Sequence, residues 1–408
     1  LTRPRRSAGT ERGLVRRLRL WALLSESVPF YPLYALWFAE AGLSDAEISR
    51  LFVLWSVVGL LAEVPSGALA DRFSRRGALA SGGLLQAAAY VLWTGWPEFP
   101  SFALGFVLWG FGGALLSGAV EALLYDGLAA VGATERFGRS YGQLDALRLV
   151  ADIPAAVAAT TLFATGGLLL VGWVSVGVCA ASAVLAACLP EPSRAPERSG
   201  QSGRSDGCVG VLRAGVLAVL SDPVSRRAVV VVALLASLDA VEEYFGLLAR
   251  DRGVPTQWVP QAVVGISIAG ALGSAWAGRL TRVRPTTLTL FLGTAAAVLA
   301  VTEALGRAAG LVGVAVFYAT YRAVLVVANT RLQHCFRGDA RATATSLVGL
   351  GTEVASMGVY LAWAVGRVGA VVVLSAAIAL ALPLGLHRSG HHGDHCGPGE
   401  TRGSVCAE

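Results

Sequence analysis

Gly67-Ala68-Leu69-Ala70-Asp71-Arg72-Phe73-Ser74-Arg75-Arg76 is a short charged elbow between two apolar runs, 46–70 before it and 77–96 after it. An acid and three arginines wedged between segments of membrane length belong in water or among lipid headgroups, not in hydrocarbon. The small residues Gly67, Ala68 and Ala70 let another helix approach closely. A hinge between two membrane-crossing helices meets both demands.

The rest of the chain repeats that pattern. Of 408 residues, 55% are hydrophobic and only 15% charged, with a mean hydropathy of +0.61, whereas soluble domains are roughly 25% charged. Apolar runs lie near 20–39, 47–70, 77–96, 101–124, 143–165, 168–189, 226–249, 258–281, 286–305, 309–329, 342–364 and 368–386. Each is long enough for a hydrocarbon core about 30 Å thick. The expected fold is therefore all-α and integral to the membrane, with twelve transmembrane helices in two pseudo-symmetric six-helix bundles, 20–189 and 226–386. Segment 190–225, rich in Ser, Gly, Pro and Arg, reads as a cytoplasmic linker between them, with a short surface helix at 209–220. Residues 1–19 form a basic leading segment, and 387–408 a disordered tail. A basic segment before an apolar run can also open a signal peptide. The length of the run, Glu26, Pro29, Pro32 and the lack of a small-residue cleavage site favour an uncleaved first helix.

All 33 basic residues are arginine, a compositional bias, so the net charge of +6 does not point to nucleic acid; no basic surface with interleaved aromatics occurs. With the N-terminus inside, 26 arginines fall on the inner side and five on the outer, as the positive-inside rule requires. Both termini are then cytoplasmic, in a multi-pass plasma-membrane protein. Two short internal matches support two halves: 70–75 with 277–282, and 36–43 with 247–254. The six cysteines include no CxxC pair, so no disulfide framework is expected. His391-His392-x-x-His395-Cys396 offers metal-ligand types, but it reads as incidental to a Gly-rich tail. No metal and no cofactor is assigned. A chain without lysine cannot form the P-loop of an ATP-driven pump. Short loops without clustered acids or histidines, and the lack of a nucleophile elbow, argue against an enzyme.

An ionisable group inside a span costs roughly 2.5–3.5 kcal/mol, so each asks for a partner or a wet cavity. Run 1 holds Glu26, run 2 Glu63, and Glu121 and Asp126 close run 4. Asp145, Arg148 and Asp152 lie in run 5, Asp239, Glu242 and Glu243 in run 7, Arg322 in run 10 and Glu353 in run 11. Asp145, Arg148 and Asp152 form one helical stripe, either a self-satisfied salt bridge or an inner gate partnered on another helix. Asp239, Glu242 and Glu243 share a face. Three like charges in a low dielectric disfavour full ionisation, so one is expected to carry a proton and exchange it for a cation; a solvated, idle stripe is the plainer reading. Arg322 needs a carboxylate, and Glu26 or Glu121 is the expected partner. Pro29 and Pro32 free backbone carbonyls beside Tyr31 and Tyr34, which with Glu26 suit an amphiphilic cation through cation–π contact. Plain aromatic packing also accounts for them.

Gly67, Asp71, Arg72, Arg75 and Arg76, their reduced copy at Arg279 and Arg282, the twelve spans and the central linker together resemble the major facilitator superfamily over nearly the whole chain. The resemblance implies that the elbow gates, with Asp71 near the start of helix 3 and the inner end of helix 11, close to Arg341. It implies a cavity lined by helices 1, 4, 7 and 10, which carry Glu26, Glu121, Asp239, Glu242, Glu243 and Arg322. Asp145, Arg148, Asp152 and Glu353 complete the expected gate. This chain departs from many proton-coupled drug exporters of the family: helix 4 carries Glu121 and no mid-helix arginine. The usual Gly-Pro pair of helix 5 is replaced by Asp145, Arg148, Asp152 and Pro154. The expected function is secondary active transport by alternating access, with proton-coupled export of a lipophilic or cationic small molecule. Import of a small metabolite and a non-transporting sensor or scaffold are the alternatives. The expected partners are a small-molecule substrate, protons and the bilayer, and a monomer is expected.

Overall fold

The computed structural model describes residues 6–72, 74–191, 221–280, 283–305, 308–336 and 339–386. The expected surface helix at 209–220 and the His/Cys tail lie outside them, as do the side chains of residues 63–72 and hence of Glu63, Gly67, Asp71 and Arg72. The described residues form helices and no strand.

The first span, α1, runs Arg6–Glu26, breaks, and resumes through a 3-10 turn at Tyr31–Leu33 and a helix at Tyr34–Glu40. It begins well before the apolar run. Leu14, Leu18 and Trp21 make a buried stripe at helical spacing, while Arg16 and Arg17 stay exposed. The leading arginines therefore continue a packed helix. The break at Ser27–Phe30 sits beside Pro29 and Pro32, which cannot supply the N–H bonds of a continuous helix. Three further spans follow: α2 (Asp45–Arg72), α3 (Arg75–Gly95) and α4 (Phe99–Ala130). A reciprocal cap starts α2: Ser44 N donates to Glu47 Oε2 at 2.9 Å, and Glu47 N donates to Ser44 Oγ at 3.3 Å. Within this half α3 and α4 approach backbone to backbone, since a Cβ at Gly82 would stand 2.8 Å from the Gly112 carbonyl oxygen.

Two very long helices each make two passes. Phe137–Ala187 has 51 residues, about 77 Å if straight, far more than a bilayer needs. It turns at Gly167, whose φ of 64° suits a residue without a Cβ. The turn is a reversal. Arg17 donates to the Cys188 carbonyl at 3.2 Å while Arg19 bonds Gln143, so both ends of the helix return to one level of α1. Its arms are α5 and α6. Asp339–Leu386 likewise has 48 residues and turns at Arg367 (φ 47°, ψ −132°). Its arms, α11 and α12, both reach the same partner, with Gly351 against Ala233 and Gly385 against Val231. Between the two long helices lie α7 (Pro223–Ala236, continued below), α8 (Val259–Trp276), α9 (Pro285–Leu305) and α10 (Ala308–Cys335). Asp222 caps α7, and bonds from the Ser225 hydroxyl and from the Ser225 and Val224 N–H groups hold its carboxyl below the usual carboxylate range.

Six helices among the described residues have the length and apolar composition to cross a membrane. Two are the doubled ones, and the more polar α1, α2, α3 and α7 complete twelve passes in two six-helix bundles.

The bundles meet unequally. At the end opposite the elbow, Arg367 pairs with Asp45 of the first half at 2.9 Å and with Asp251 of its own half. Ser49 and Tyr244 share a hydrogen bond of 2.8 Å, and Thr160 donates to the Gln257 carbonyl at 3.0 Å while accepting from Gln261. Phe52 lies 5.3 Å from both Tyr244 and Tyr360, and Tyr244 stacks on Trp363 at 4.0 Å. At the elbow end, the named bonds close within one half. Arg75 pairs with Asp126, Ser74 Oγ and Arg75 N donate to Glu191, and Arg76 lies 3.6 Å from Glu191. Buried apolar residues of the first half form a separate cluster there, including Leu14, Leu79, Leu123 and Ala186.

Arg367 is half-exposed, and its pair with Asp45, the one of the two that crosses between the halves, is worth at most about 1 kcal/mol. Arg367→Ala is expected to raise labelling of a Ser49→Cys probe by a membrane-impermeant thiol reagent by up to about fivefold, the population change that energy sets. Labelling equal to that of the unmodified latch would show that this pair does not hold the halves together.

Candidate functional site

α7 leaves the α-helical path at Ser237, runs as a 3-10 helix to Tyr244, and finishes as Phe245–Asp251. At three residues per turn, side chains at i and i+3 eclipse. Asp239 and Glu242 therefore stack on one line, and Glu243 is turned about 120° away. The three acids do not share the single face expected of an α-helix.

The stacked pair faces α10. Tyr318 Oη lies 2.9 Å from Asp239 Oδ1 and 3.0 Å from Glu242 Oε2. One turn on, Arg322 Nη1 donates to both carboxylate oxygens of Asp239, at 3.0 and 3.1 Å, and its guanidinium carbon sits 5.9 Å from the Tyr318 ring centre. Ser267 of α8 donates to Glu242 Oε1 at 3.3 Å. Tyr321 donates to the Ala236 carbonyl at 3.1 Å, tying α10 to the start of the 3-10 segment.

Glu243 faces the other half. With Glu242, Gly246 and Val263 it lines a narrow cleft whose opposite wall is Tyr31, Pro32, Tyr34 and Ala35 of α1. Among the described residues Glu243 has no hydrogen bond or ion pair. Gly246 makes the narrow wall possible: a Cβ there would stand 3.1 Å from the Pro32 carbonyl oxygen. Tyr31 and Tyr34 also border a second pocket lined by Trp55, Tyr90, Trp93, Phe106 and Trp109. The acidic cleft thus adjoins an aromatic chamber. Across it, the Tyr31 hydroxyl lies within electrostatic reach of Glu243, Glu242, Glu26 and Asp152.

These contacts correct two expectations. Arg322 pairs with Asp239, not with Glu26 or Glu121, because α7 and α10 are neighbours in one bundle and Glu26 and Glu121 belong to the other. Glu26 instead lies 3.5 Å from Arg148, and Glu121 accepts from Tyr141 at 2.6 Å. Asp145, Arg148 and Asp152 are also not a self-satisfied stripe: Arg148 reaches across to α1, and both aspartates are exposed. Arg341 donates to the Phe336 carbonyl at 3.2 Å, and Glu353 is exposed. The role of Tyr318 was not anticipated; its i, i+4 spacing from Arg322 is the signal that places both on one face. Glu191 and Asp126 as partners of the elbow arginines were likewise missed.

The sequence matches the Major Facilitator Superfamily over residues 21–359. None of the curated proteins matches it. The fold is similar to that of the nucleoside transporter NupG (TM-score 0.70, 14% identity, covering 91% of this chain and 97% of that one). It is also similar to a bacterial homologue of the iron transporter ferroportin in an inward-facing state (0.69, 15%, 92% and 99%). A bacterial homologue of the human lysosomal transporter Spinster, inward-facing and unoccupied, gives 0.68, 13%, 92% and 95%. At these identities the likeness is one of fold.

Removing one member of the Asp239–Arg322 pair leaves the other charge uncompensated, at about 1–2 kcal/mol for partly exposed partners. Arg322→Ala and Asp239→Ala are each expected to lower the melting temperature of detergent-solubilised protein, and the double substitution to recover most of the loss. Additive losses in the double variant would dismiss the pairing.

Proposed function

Because the chain belongs to the major facilitator superfamily, we propose that this transporter works by alternating access, exporting a lipophilic or cationic small molecule across the plasma membrane in exchange for protons. The observation that carries the reading is Glu243: an acid with no hydrogen bond or ion pair among the described residues, in a cleft walled by both halves, beside Tyr31 and Tyr34. Arg322 compensates Asp239, so Glu242 and Glu243 leave the cleft short of positive charge. A proton or an organic cation supplies it, and two cations competing for one deficit exclude each other. That exclusion is the physical basis of exchange. The aromatic chamber next to Tyr31 and Tyr34 favours a solute with an apolar or aromatic body.

Arginine distribution supports a cytoplasmic elbow end and cytoplasmic termini. The conformation, tied together at the far end, is then the inward-facing one, the state in which two similar structures are described. Outward opening requires Arg367 to leave Asp45, while the elbow residues Gly67, Asp71, Arg72, Arg75 and Arg76 and the eleventh span around Arg341 and Glu353 close the inner side. Glu26, Glu121, Asp145, Arg148 and Asp152 line the inner approach from the first half. The unit that works is the monomer, and the reaction is movement across the bilayer, not chemical conversion.

Proteoliposomes loaded with ethidium, a fluorescent aromatic cation, test the reading. Acidifying the outside is expected to speed efflux, and Glu243→Gln to cut ethidium efflux by about tenfold, the factor set by losing one charge-assisted contact. Efflux indifferent to the gradient in the unmodified protein would remove proton coupling; gradient-driven accumulation would reverse the direction in favour of import.

A further inference from the structure

The Tyr318 hydroxyl carries one hydrogen, yet it stands at hydrogen-bonding distance from two acids, 2.9 Å from Asp239 Oδ1 and 3.0 Å from Glu242 Oε2. It can donate to only one of them. If both acids were ionised, the remaining contact would set one acceptor against another in a site of low dielectric, which is unfavourable. Both contacts are hydrogen bonds only if one acid brings a proton. Asp239 is the wrong candidate, because both its oxygens accept from Arg322, and that pairing holds it as the anion. Among the described residues Glu242 has no cation at its oxygens: Oε1 accepts from Ser267 at 3.3 Å, leaving Oε2 against Tyr318.

We infer that Glu242 is the proton site of this transporter in the conformation closed opposite the elbow, and that Tyr318 is its positioning residue. The bonds then run in one direction. Ser267 donates to Glu242 Oε1, the Glu242 Oε2–H donates to Tyr318, Tyr318 donates to Asp239, and Arg322 donates to Asp239. Each of these contacts then has a hydrogen of its own, and each proton is used once. Loading transfers a proton from hydronium to Glu242 Oε2 and leaves water; release is the reverse, and Tyr318 keeps its own hydrogen throughout. The charged and titratable groups around Glu242 are Asp239, Glu243 and Tyr244 on its own span, Tyr318, Tyr321 and Arg322 on α10, and Tyr31 on α1, with Glu26 and Asp152 beyond Tyr31; α8 contributes Ser267. This assignment rests on the proton-coupled reading and names its proton acid: a proton on Glu242 removes part of the cleft's charge deficit and so weakens the hold of a cationic solute at Glu243 next to it.

The test is infrared spectroscopy of the full chain in lipid, without solute, near neutral pH, following the carbonyl band of a protonated carboxylic acid that shifts in heavy water. Such a band is expected in the unmodified protein, lost in Glu242→Gln and retained in Glu243→Gln. In Tyr318→Phe it is expected to persist at a displaced frequency, because the acid O–H has lost its acceptor. Glu242→Gln keeps a donor toward Tyr318 and so should fold; if it does not, the Tyr318→Phe displacement decides alone. No band in the unmodified protein, a band that survives Glu242→Gln undiminished, or one undisplaced in Tyr318→Phe overturns the assignment. The ethidium measurement separates the two readings. Gradient-stimulated efflux with a band that survives Glu242→Gln would leave the exporter standing and move its proton elsewhere.

Discussion

A carboxyl group carried into hydrocarbon must be given a counter-ion, a proton or water. The 3-10 segment Ser237–Tyr244 deals those options to three neighbouring acids. Asp239 takes the guanidinium of Arg322. Glu242, against the Tyr318 hydroxyl, is the acid to which we assign the proton. Glu243 takes the cleft. The departure from α-helical geometry is what makes the division possible, because in an α-helix residues four apart share a face more closely than residues in 3-10 register do. A small change of backbone pitch thus turns one acidic patch into three chemically distinct sites.

The rest of the architecture keeps that segment between two bodies that close at one end. Both doubled helices reverse within a residue or two, at Gly167 and Arg367. Glycine accepts its conformation freely. Arg367 does not, and an unusual backbone of this kind costs on the order of 1–3 kcal/mol. Its side chain meets two carboxylates, one from each half, so the strained turn lies at the point where the halves are tied. The elbow is built differently. Its described arginines pair with Asp126 and Glu191 of the first half, which ties the start of α3 to the end of α4 and to the segment after α6.

Much of this was legible in the sequence. Apolar run length gave the helices, and the gaps at 166–167 and 365–367 fell where the two long helices turn. Arginine spacing located the elbow, and the expense of buried charge singled out Glu26, Glu121, Asp239, Glu242, Glu243 and Arg322. What it could not supply were partners. Arg322 has several acids at plausible depth, and only bundle packing puts α7 beside α10. The helical start of α1 at Arg6 was hidden because its arginines outweigh Leu14 and Leu18 in any average. The 3-10 register of 237–244 leaves no mark in composition: Ser, Asp and Glu there are compatible with either helix. Nothing in the sequence marks Tyr318 beyond its spacing from Arg322, although its hydroxyl is the atom on which the acids converge.

The same segment brings the proposed proton site, the cleft and the far-end closure within a short distance of one another. Glu242 bonds Tyr318, Glu243 faces the cleft, and Tyr244 shares a hydrogen bond with Ser49 across the far-end closure. Three consecutive residues therefore address three different tasks, on a backbone too short to flex between them. Rewinding this turn to α-helical pitch would rotate Glu242 by about 60° relative to Asp239, since each of the three intervening steps falls from about 120° to about 100°. Tyr318 could then no longer bridge the two acids, and the same rotation would draw Tyr244 away from Ser49. Holding the proton and holding the far end shut are thus consequences of one backbone geometry, and a change in either is felt by the other without any longer chain of contacts.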